Sequence, residues 1–367
     1  MPDYAGHAAA FDHAFWFDIV PRSVACPGLA PQVLLHAGPP YRGSAPAAVL
    51  NAAVQAVLYE GLAPDETAAR AMIANGGVQL APAQDHGVAT PLAQVVSASM
   101  PLLAVRQNGE TFYAPVVEGP APALRFGCAD ARCRDAMSGI SAWAMDTLAP
   151  LVRRRPVAIA RVIRAALANG DECHARTGAA NEALLSQIDG LDAEGIARLR
   201  ANPAFVLTMI MAGAGAALRS HRSGIAAIGG NGIEFGVRHR GETQWRQTVA
   251  DAPRGTRFPA HGETAALPAI GDSAVIDFCG LGGQALDAAP LLAEEWAHLL
   301  PEDARARRAA LLDPASGIVD PARVAQSRIS PLINLAILDS AGTAGLIGRG
   351  FYAAPAGLFD PRAASAT

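Results

Sequence analysis

Between Gly170 and Arg176 the chain gathers two acids, a thiol, an imidazole and a guanidinium: Asp171, Glu172, Cys173, His174 and Arg176. Such a set can hold an anion and move a proton. An imidazole is the side chain whose ordinary pKa, about 6.5, lies nearest neutrality, and a guanidinium grips carboxylate or phosphate with paired donors. The flanks predict how the group is presented. Val162, Ile163 and Leu167 recur at helical spacing and Asn169-Gly170 reads as a helix stop. Asp171 then caps a second helix running past Asn181 to Leu185. On that reading His174 falls in the first turn, where its ring and free backbone N–H groups face one ligand. A purely structural reading covers the same residues: a cap for Asp171, a small buried thiol for Cys173, and a solvated helix end for Glu172 and Arg176.

Other polar groups sit against apolar sequence. His36 ends the run Val33-Leu34-Leu35 and precedes Ala37-Gly38-Pro39-Pro40. Its ring either projects from a strand end into a cleft or is a satisfied core histidine. His86 lies in the polar turn Asp85-His86-Gly87, Asp272-Ser273 follows Gly271, and Glu118-Gly119 stands near Arg125-Phe126-Gly127. Capping, turn or surface placement is the alternative for each. No HExxH or paired CxxC signature is present, so no metal and no cofactor is expected.

Composition excludes whole mechanisms. All 29 basic residues are Arg; Schiff-base, pyridoxal-phosphate and Walker-type chemistry each need the lysine this chain lacks. A net charge of -4 argues against nucleic acid. The 5 Cys, an odd number without CxxC, suit reduced thiols and a cytoplasmic location. No signal peptide or membrane span is expected, since the longest apolar stretch, 205–218, is short and interrupted by glycine. With 51% hydrophobic and 17% charged residues, a homodimer is expected.

The elements that must position these groups fall into three regions. Residues 1–145 read as an α+β domain: a strand over Gln32–His36, helices over Ala45–Glu60 and Pro64–Asn75, and a strand or strand pair over Val95–Val105. Residues 146–222 read as a helical domain, broken at Asp189-Gly190, with Pro203 opening an apolar helix toward Leu218. Residues 223–367 read as a second α+β domain, with a hairpin around Gly230-Asn231-Gly232, a strand over Gly271–Phe278 and a helix over Gln284–Leu300. The fold class is therefore α+β, two mixed domains separated by a small helical one. Low complexity is confined to Ala363–Thr367. Gly280-Leu281-Gly282-Gly283-Gln284-Ala285 matches G-x-G-x-x-A in form. It stands late in the chain and is followed by acids such as Asp287, so it is read as an anion or carbonyl cradle before a dinucleotide site.

Taken in order, His36-Ala-Gly-Pro-Pro40, Tyr59-Glu60-Gly61, Ser97-Ala-Ser-Met-Pro101, Glu118-Gly119, Leu124-Arg-Phe-Gly127, Gly170-Asp-Glu-Cys-His174, Asn231-Gly232 with Phe235-Gly236, Gly271-Asp-Ser-Ala274 and Ser330-Pro331 with Asn334 resemble the YlbE-like family, also catalogued as domain of unknown function 1116. The resemblance spans about residues 30 to 355. It implies two unusual α+β domains around a helical one, and a subunit of the oxamate carbamoyltransferase of anaerobic allantoin breakdown, which moves a carbamoyl group between oxalurate and phosphate with the help of unrelated subunits.

Carbamoyl transfer needs an anion grip, donors for a tetrahedral oxyanion, and a group that manages a proton on nitrogen. The expected catalytic residues are His174, His36 and Asp171, and the expected substrate-binding residues are Arg176, Arg125, Asn231, Asp272, Ser273, Glu172 and His86. The expected partners are a small ureido acid, phosphate or carbamoyl phosphate, and other subunits. The loop Tyr41-Arg42-Gly43-Ser44-Ala45-Pro46 is shorter than the Met-Cys-Gly-Pro-Met loop of many relatives, which loosens the identity of the acid. A stand-alone amidohydrolase and a non-catalytic scaffold subunit are the competing readings.

Overall fold

The apolar run after Pro203 forms the helix Ala204–Ser220, whose residues are buried on every side; a helix hydrophobic all round belongs in a core. It lies across the strands Pro101–Gln107 and Glu110–Pro115 and against the short helix Ala274–Phe278. Its close approach needs Gly215, because a Cβ there would stand 2.3 Å from the Phe112 ring. The computed structural model describes residues 5–221 and 224–360. Residue 222, taken above as the end of the helical region, and the Ala363–Thr367 tail lie outside the described residues.

The chain is α+β. Strands Glu110–Pro115, Pro101–Gln107, Phe15–Pro21 and Val157–Ala158 lie side by side in an antiparallel four-stranded sheet. Ile270–Gly271, Ile225–Asn231, Glu234–His239 and Arg246–Val249 form a second. Arg254–Arg257, Leu346–Ala353 and Leu332–Leu338 form a three-stranded antiparallel sheet. Val33–His36 and Gln79–Pro82 pair in parallel. A parallel pair requires a crossover, here the helices Ala47–Tyr59 and Glu66–Ala74, the second capped by Asp65 through the N–H of Ala68 at 2.8 Å. The Asn-Gly hairpin forms as expected, Gly232 taking φ +85°. One contiguous core runs from Ala8 to Phe359 and includes residues of all three sequence regions; division of the chain at residues 145 and 222 is a proposal.

Three local expectations are corrected. Residues Gly170–Thr177 form an irregular loop, and the helix is Gly178–Leu185. Cys173 takes φ +68°, a left-handed conformation no helix accepts. Gly271–Phe278 is not a strand: after the two-residue strand Ile270–Gly271 the chain turns into the helix Ala274–Phe278, and a short apolar run carries no period that separates the two. Finally, Gln284–Leu300 is not one helix. Pro290 starts the helix Pro290–Glu295, in keeping with its preference for a first helical position and its missing N–H.

Candidate functional site

A cavity of about 240 Å³ opens where the sheets, the long helix and the Gly170–Thr177 loop meet. Its walls bring together three of the expected residues, Arg125, His174 and Ser273, with Thr208 and Arg349. Arg125 comes from the turn Leu124–Phe126, His174 from the loop, Thr208 from the long helix, Ser273 from the mouth of the Ala274–Phe278 helix, and Arg349 from a strand.

The loop is built around two buried acids. Glu172 is fully buried and its Oε1 accepts from the N–H of His174 at 3.3 Å and of Ala175, while Oε2 accepts from Arg176 N–H at 3.0 Å. Asn334 Nδ2 donates to the same Oε1 at 2.9 Å. Burial pushes the Glu172 carboxyl above its ordinary value, opposed by these donors. Asp171 is a cap, but at a distance: its Oδ2 accepts from the N–H groups of Ala179 and Ala180, at 2.5 and 3.2 Å. The backbone donors expected to meet a ligand are thus spent on the protein's own carboxylates, which corrects the helix-terminus anion site and leaves any grip to side chains. Asp171 and Glu172 are scaffold in this geometry. Arg176 lies 3.7 Å from Asp171 Oδ1 and is not among the residues of the cavity wall.

His174 is fixed by a residue that sequence reading missed. Its Nδ1 meets Asp277 Oδ2 at 2.7 Å, and both side chains are almost wholly buried. Asp277 Oδ1 accepts from the N–H of Gly283 at 2.7 Å and of Asn334 at 3.0 Å. From the glycine-rich turn it is the Gly283 N–H that meets the protein's own Asp277 carboxyl. Gly282, at φ +53°, must be glycine, since a Cβ would stand 2.1 Å from Asp277 Oδ1. With Nδ1 occupied, Nε2 is the nitrogen left to the cavity, the arrangement in which a carboxylate sets the tautomer of a proton-transferring histidine. The available signal was a lone acid inside the apolar run Ala274-Val275-Ile276-Asp277-Phe278.

Arg125 is buried beneath the wall. Its guanidinium donates to the Gly119 carbonyl and lies 4.3 Å above the Phe126 ring centroid. Nη1 stands 3.7 Å from Glu118 Oε2, and neither atom has a hydrogen-bond partner among the described residues. Surface placement of this pair is corrected: burial pushes the Glu118 carboxyl up and the Arg125 guanidinium down, each opposed by the other's charge. Arg349, also missed, is held by Glu295 at 2.6 Å.

The remaining expected residues lie apart from that wall. His36 is buried, its Nδ1 2.8 Å from the Ala37 carbonyl and its ring tilted by 31° against that of Tyr41, with centroids 4.5 Å apart. Desolvation lowers its pKa to about 4, so it is neutral near pH 7 and suits a core role. Asn231 Nδ2 donates to the Pro39 carbonyl, and its Oδ1 accepts from the N–H groups of Ile233 and Glu234, which locks the hairpin turn. His86 is half-buried in the turn Ala83–His86, and burial lowers its pKa. Asp272 is a buried junction, accepting from Gly38 N–H at 2.8 Å, Gln84 Nε2 at 2.6 Å and Thr90 N–H at 2.9 Å. It ties the His36–Pro40 loop to the hairpin sheet, where Gly38, at φ +74°, passes so close that a Cβ would lie 2.4 Å from the Gly230 carbonyl carbon.

Burial raises the Asp272 pKa to about 7, its three donors opposing. A raised folded-state pKa means that the native state binds more protons than the unfolded chain between pH 3.8 and about 7. The stability this residue contributes is therefore present at acid pH and lost as pH rises through 7. Relative to Asp272→Asn, the native protein is expected to lose about 2–3 kcal/mol between pH 5 and 7.5. Urea unfolding of both proteins at the two pH values checks this; a difference independent of pH, or of opposite sign, would contradict it.

Among the described residues no group of three or more His, Cys, Asp or Glu is arranged to hold a metal. The 5 cysteines are free, and burial beside Glu172 and Asp171 drives the Cys173 thiol far above its ordinary pKa, which disfavours it as a nucleophile. Among the described residues no single helix is long and apolar enough to cross a membrane.

Residues 78–273 match the family described as oxamate carbamoyltransferase subunit AllG. The chain is 30% identical to the oxamate carbamoyltransferase subunit AllG of Escherichia coli, over 94% of this chain and 92% of that protein. It is 27% identical to the uncharacterized protein YahG of the same organism, over 91% of this chain and 78% of that one. A crystal structure of a conserved protein of unknown function from Enterococcus faecalis shares the fold, with a TM-score of 0.83 at 24% identity, covering 98% of this chain and 95% of that one.

Proposed function

From the premise that this chain belongs to the oxamate carbamoyltransferase subunit AllG family, we propose that it is the subunit of a carbamoyltransferase that holds the ureido acid and its proton carrier. The observation that carries this reading is the cavity in which His174, oriented by Asp277, faces the same space as the buried Arg125. Arg125 receives the carboxylate of the acid through Nη1, the stronger kind of hydrogen bond because both partners are charged. Ser273 orients the amide.

The reaction balances with the groups at hand. A phosphate oxygen attacks the ureido carbonyl carbon as His174 Nε2 takes the proton of hydrogen phosphate. The bond from that carbon to the acid's nitrogen then breaks, and Nε2 gives the proton to the leaving nitrogen, which restores the imidazole. Oxalurate and hydrogen phosphate thereby give oxamate and carbamoyl phosphate. One imidazole serves both halves of this transfer, since a positioned side chain can take a proton from the attacking group and give it to the leaving one.

The family description names a subunit, so other subunits complete the enzyme. A cytoplasmic setting agrees with the free thiols, and we keep a homodimer of this chain within the proposal. Phosphate-dependent cleavage of oxalurate, measured on the chain with and without its partner subunits, tests the assignment. Carbamoyl phosphate is expected only with phosphate and partners together. Ammonia or carbamate released without phosphate would instead establish an amidohydrolase.

A further inference from the structure

The proposed transfer brings two anions, the acid and phosphate, into one cavity, and the guanidinium groups on its wall are those of Arg125 and Arg349. Their side chains differ in exposure, 8% for Arg125 and 45% for Arg349. Arg125 therefore serves the buried end and Arg349 the open one, where a strongly hydrated anion has to give up less of its water. With the acid's carboxylate on Arg125, Arg349 is the arginine left for phosphate.

The three-stranded sheet aims that guanidinium. Arg349 stands opposite Thr256 on one neighbouring strand and Ala336 on the other, and directly opposed residues share one face of a sheet. At one end of this row the Thr256 hydroxyl donates to Glu295 Oε1 at 2.7 Å; at the other, Ala336 lines the cavity. Arg349 itself meets Glu295 through Nε at 3.3 Å and Nη2 at 2.6 Å, so one edge of its fork is held by the protein. Nη1 makes no hydrogen bond among the described residues, and the edge it forms with Nη2 can pair with two oxygens of one phosphate. Burial pushes the Glu295 carboxyl up, but the Thr256 hydroxyl, Arg349 and the charge of Arg176 hold it below its ordinary value. It therefore stays ionised and keeps the fork in place, and it is not itself among the residues of the cavity wall. The same end adjoins the proton carrier. Ala175, next to His174 in the chain, lines the cavity and packs on the cluster that holds Trp296 and Phe351, which lie close in sequence to Glu295 and Arg349. A phosphate on Arg349 is thus placed on the His174 side of the cavity, where its proton can pass to Nε2.

We propose that Arg349 is the phosphate-binding residue of this cavity, taking two oxygens of inorganic phosphate, or of carbamoyl phosphate in the reverse direction, through its Nη1–Nη2 edge while Glu295 positions the guanidinium. This rests on reading the cavity as the site of carbamoyl transfer. The test is steady-state kinetics of oxalurate cleavage by the complete subunit assembly, varying phosphate at saturating oxalurate and oxalurate at saturating phosphate. Arg349→Gln, which keeps a donor toward Glu295 and removes the charge, is expected to raise KM for phosphate by at least about tenfold and to leave KM for oxalurate within about twofold. Arg349→Lys keeps a cation without the paired donors, and its KM for phosphate is expected to fall between those of wild type and Arg349→Gln. Size-exclusion chromatography verifies that each variant is assembled. An unchanged KM for phosphate in Arg349→Gln, or a lysine variant no better than the glutamine one, overturns the assignment. So does a rise confined to oxalurate, which gives Arg349 to the acid, or an equal rise for both substrates, which marks a loosened wall. In each of those cases the wild-type assembly still requires phosphate, and the carbamoyl-transfer reading stands. Cleavage by the wild-type assembly that proceeds without phosphate overturns that reading and this assignment together.

Discussion

Asp277→Asn is expected to slow carbamoyl transfer by the assembled enzyme by about 1,000- to 10,000-fold, with the chain still folded and assembled. The new amide keeps an oxygen for the N–H groups of Gly283 and Asn334, which now converge on Oδ1. It turns its N–H₂ toward His174 Nδ1, where the native carboxylate Oδ2 accepts at 2.7 Å. An imidazole nitrogen facing an N–H donor must itself be the acceptor, so the ring proton moves to Nε2 and the nitrogen facing the cavity ceases to be a base. A merely structural Asp277 would lower the melting temperature and leave kcat intact. The positioning role instead lowers kcat with KM little changed, and Asp277→Glu, which retains a carboxylate, should restore part of the rate. A variant with wild-type turnover would show that the dyad does not take part.

Arg125→Met is expected to destabilise the chain by about 3–5 kcal/mol, because it leaves Glu118, whose side chain is fully buried, without its counter-charge. Burial already raises the Glu118 carboxyl, with Arg125 holding it back, so removing Arg125 raises it further. The loss should accordingly be larger at pH 8 than at pH 5, where the lone carboxyl can protonate. Pairing the change with Glu118→Gln should recover most of the stability, since deleting both charges of a buried pair is often nearly neutral. It should not recover acid binding. Denaturant unfolding of the single and double variants, with titration of a ureido acid into the stable double variant, separates these roles. Full binding by the double variant would remove Arg125 from the site.

The two outcomes explain how much of the site could be read along the chain. His174, Arg125 and Ser273 were legible because each is a polar residue at a turn or element end, where sequence signals are sharp, and they do share one wall. Asp277 was hidden. Its short apolar run carries no period that separates strand from helix, and nothing local connects it to a histidine 103 positions away. Glu172 and Asp171 were noticed as chemistry but serve the fold. A buried carboxylate that gathers neighbouring N–H groups uses the residue types of an anion site, and only the distances show that the anion is internal. The same holds for Asn231, held by the Pro39 carbonyl and the N–H groups of its own hairpin turn, and for Asp272, held by the N–H groups of Gly38 and Thr90 and the Gln84 amide.

Elements with a full periodic signal and a stop, such as Ala47–Tyr59, Glu66–Ala74 and Ala204–Ser220, appear within a few residues of expectation. Short apolar runs beside glycine and proline do not, because their conformation is decided by what packs on them. The blocks that carry the family resemblance also acquire physical meaning. Glu60 accepts from the N–H and hydroxyl of Ser99 at 2.7 and 2.9 Å, and Asn334 bridges Glu172 to Asp277, so several blocks are partners across the fold.

The most direct test of the central claim is the rate of phosphate-dependent oxalurate cleavage by the complete subunit assembly carrying His174→Gln, with assembly verified by size-exclusion chromatography. Loss of the transfer by at least about 100-fold in an intact complex is the predicted result. Full activity in that complex would contradict it and would make this chain a scaffold for chemistry performed elsewhere.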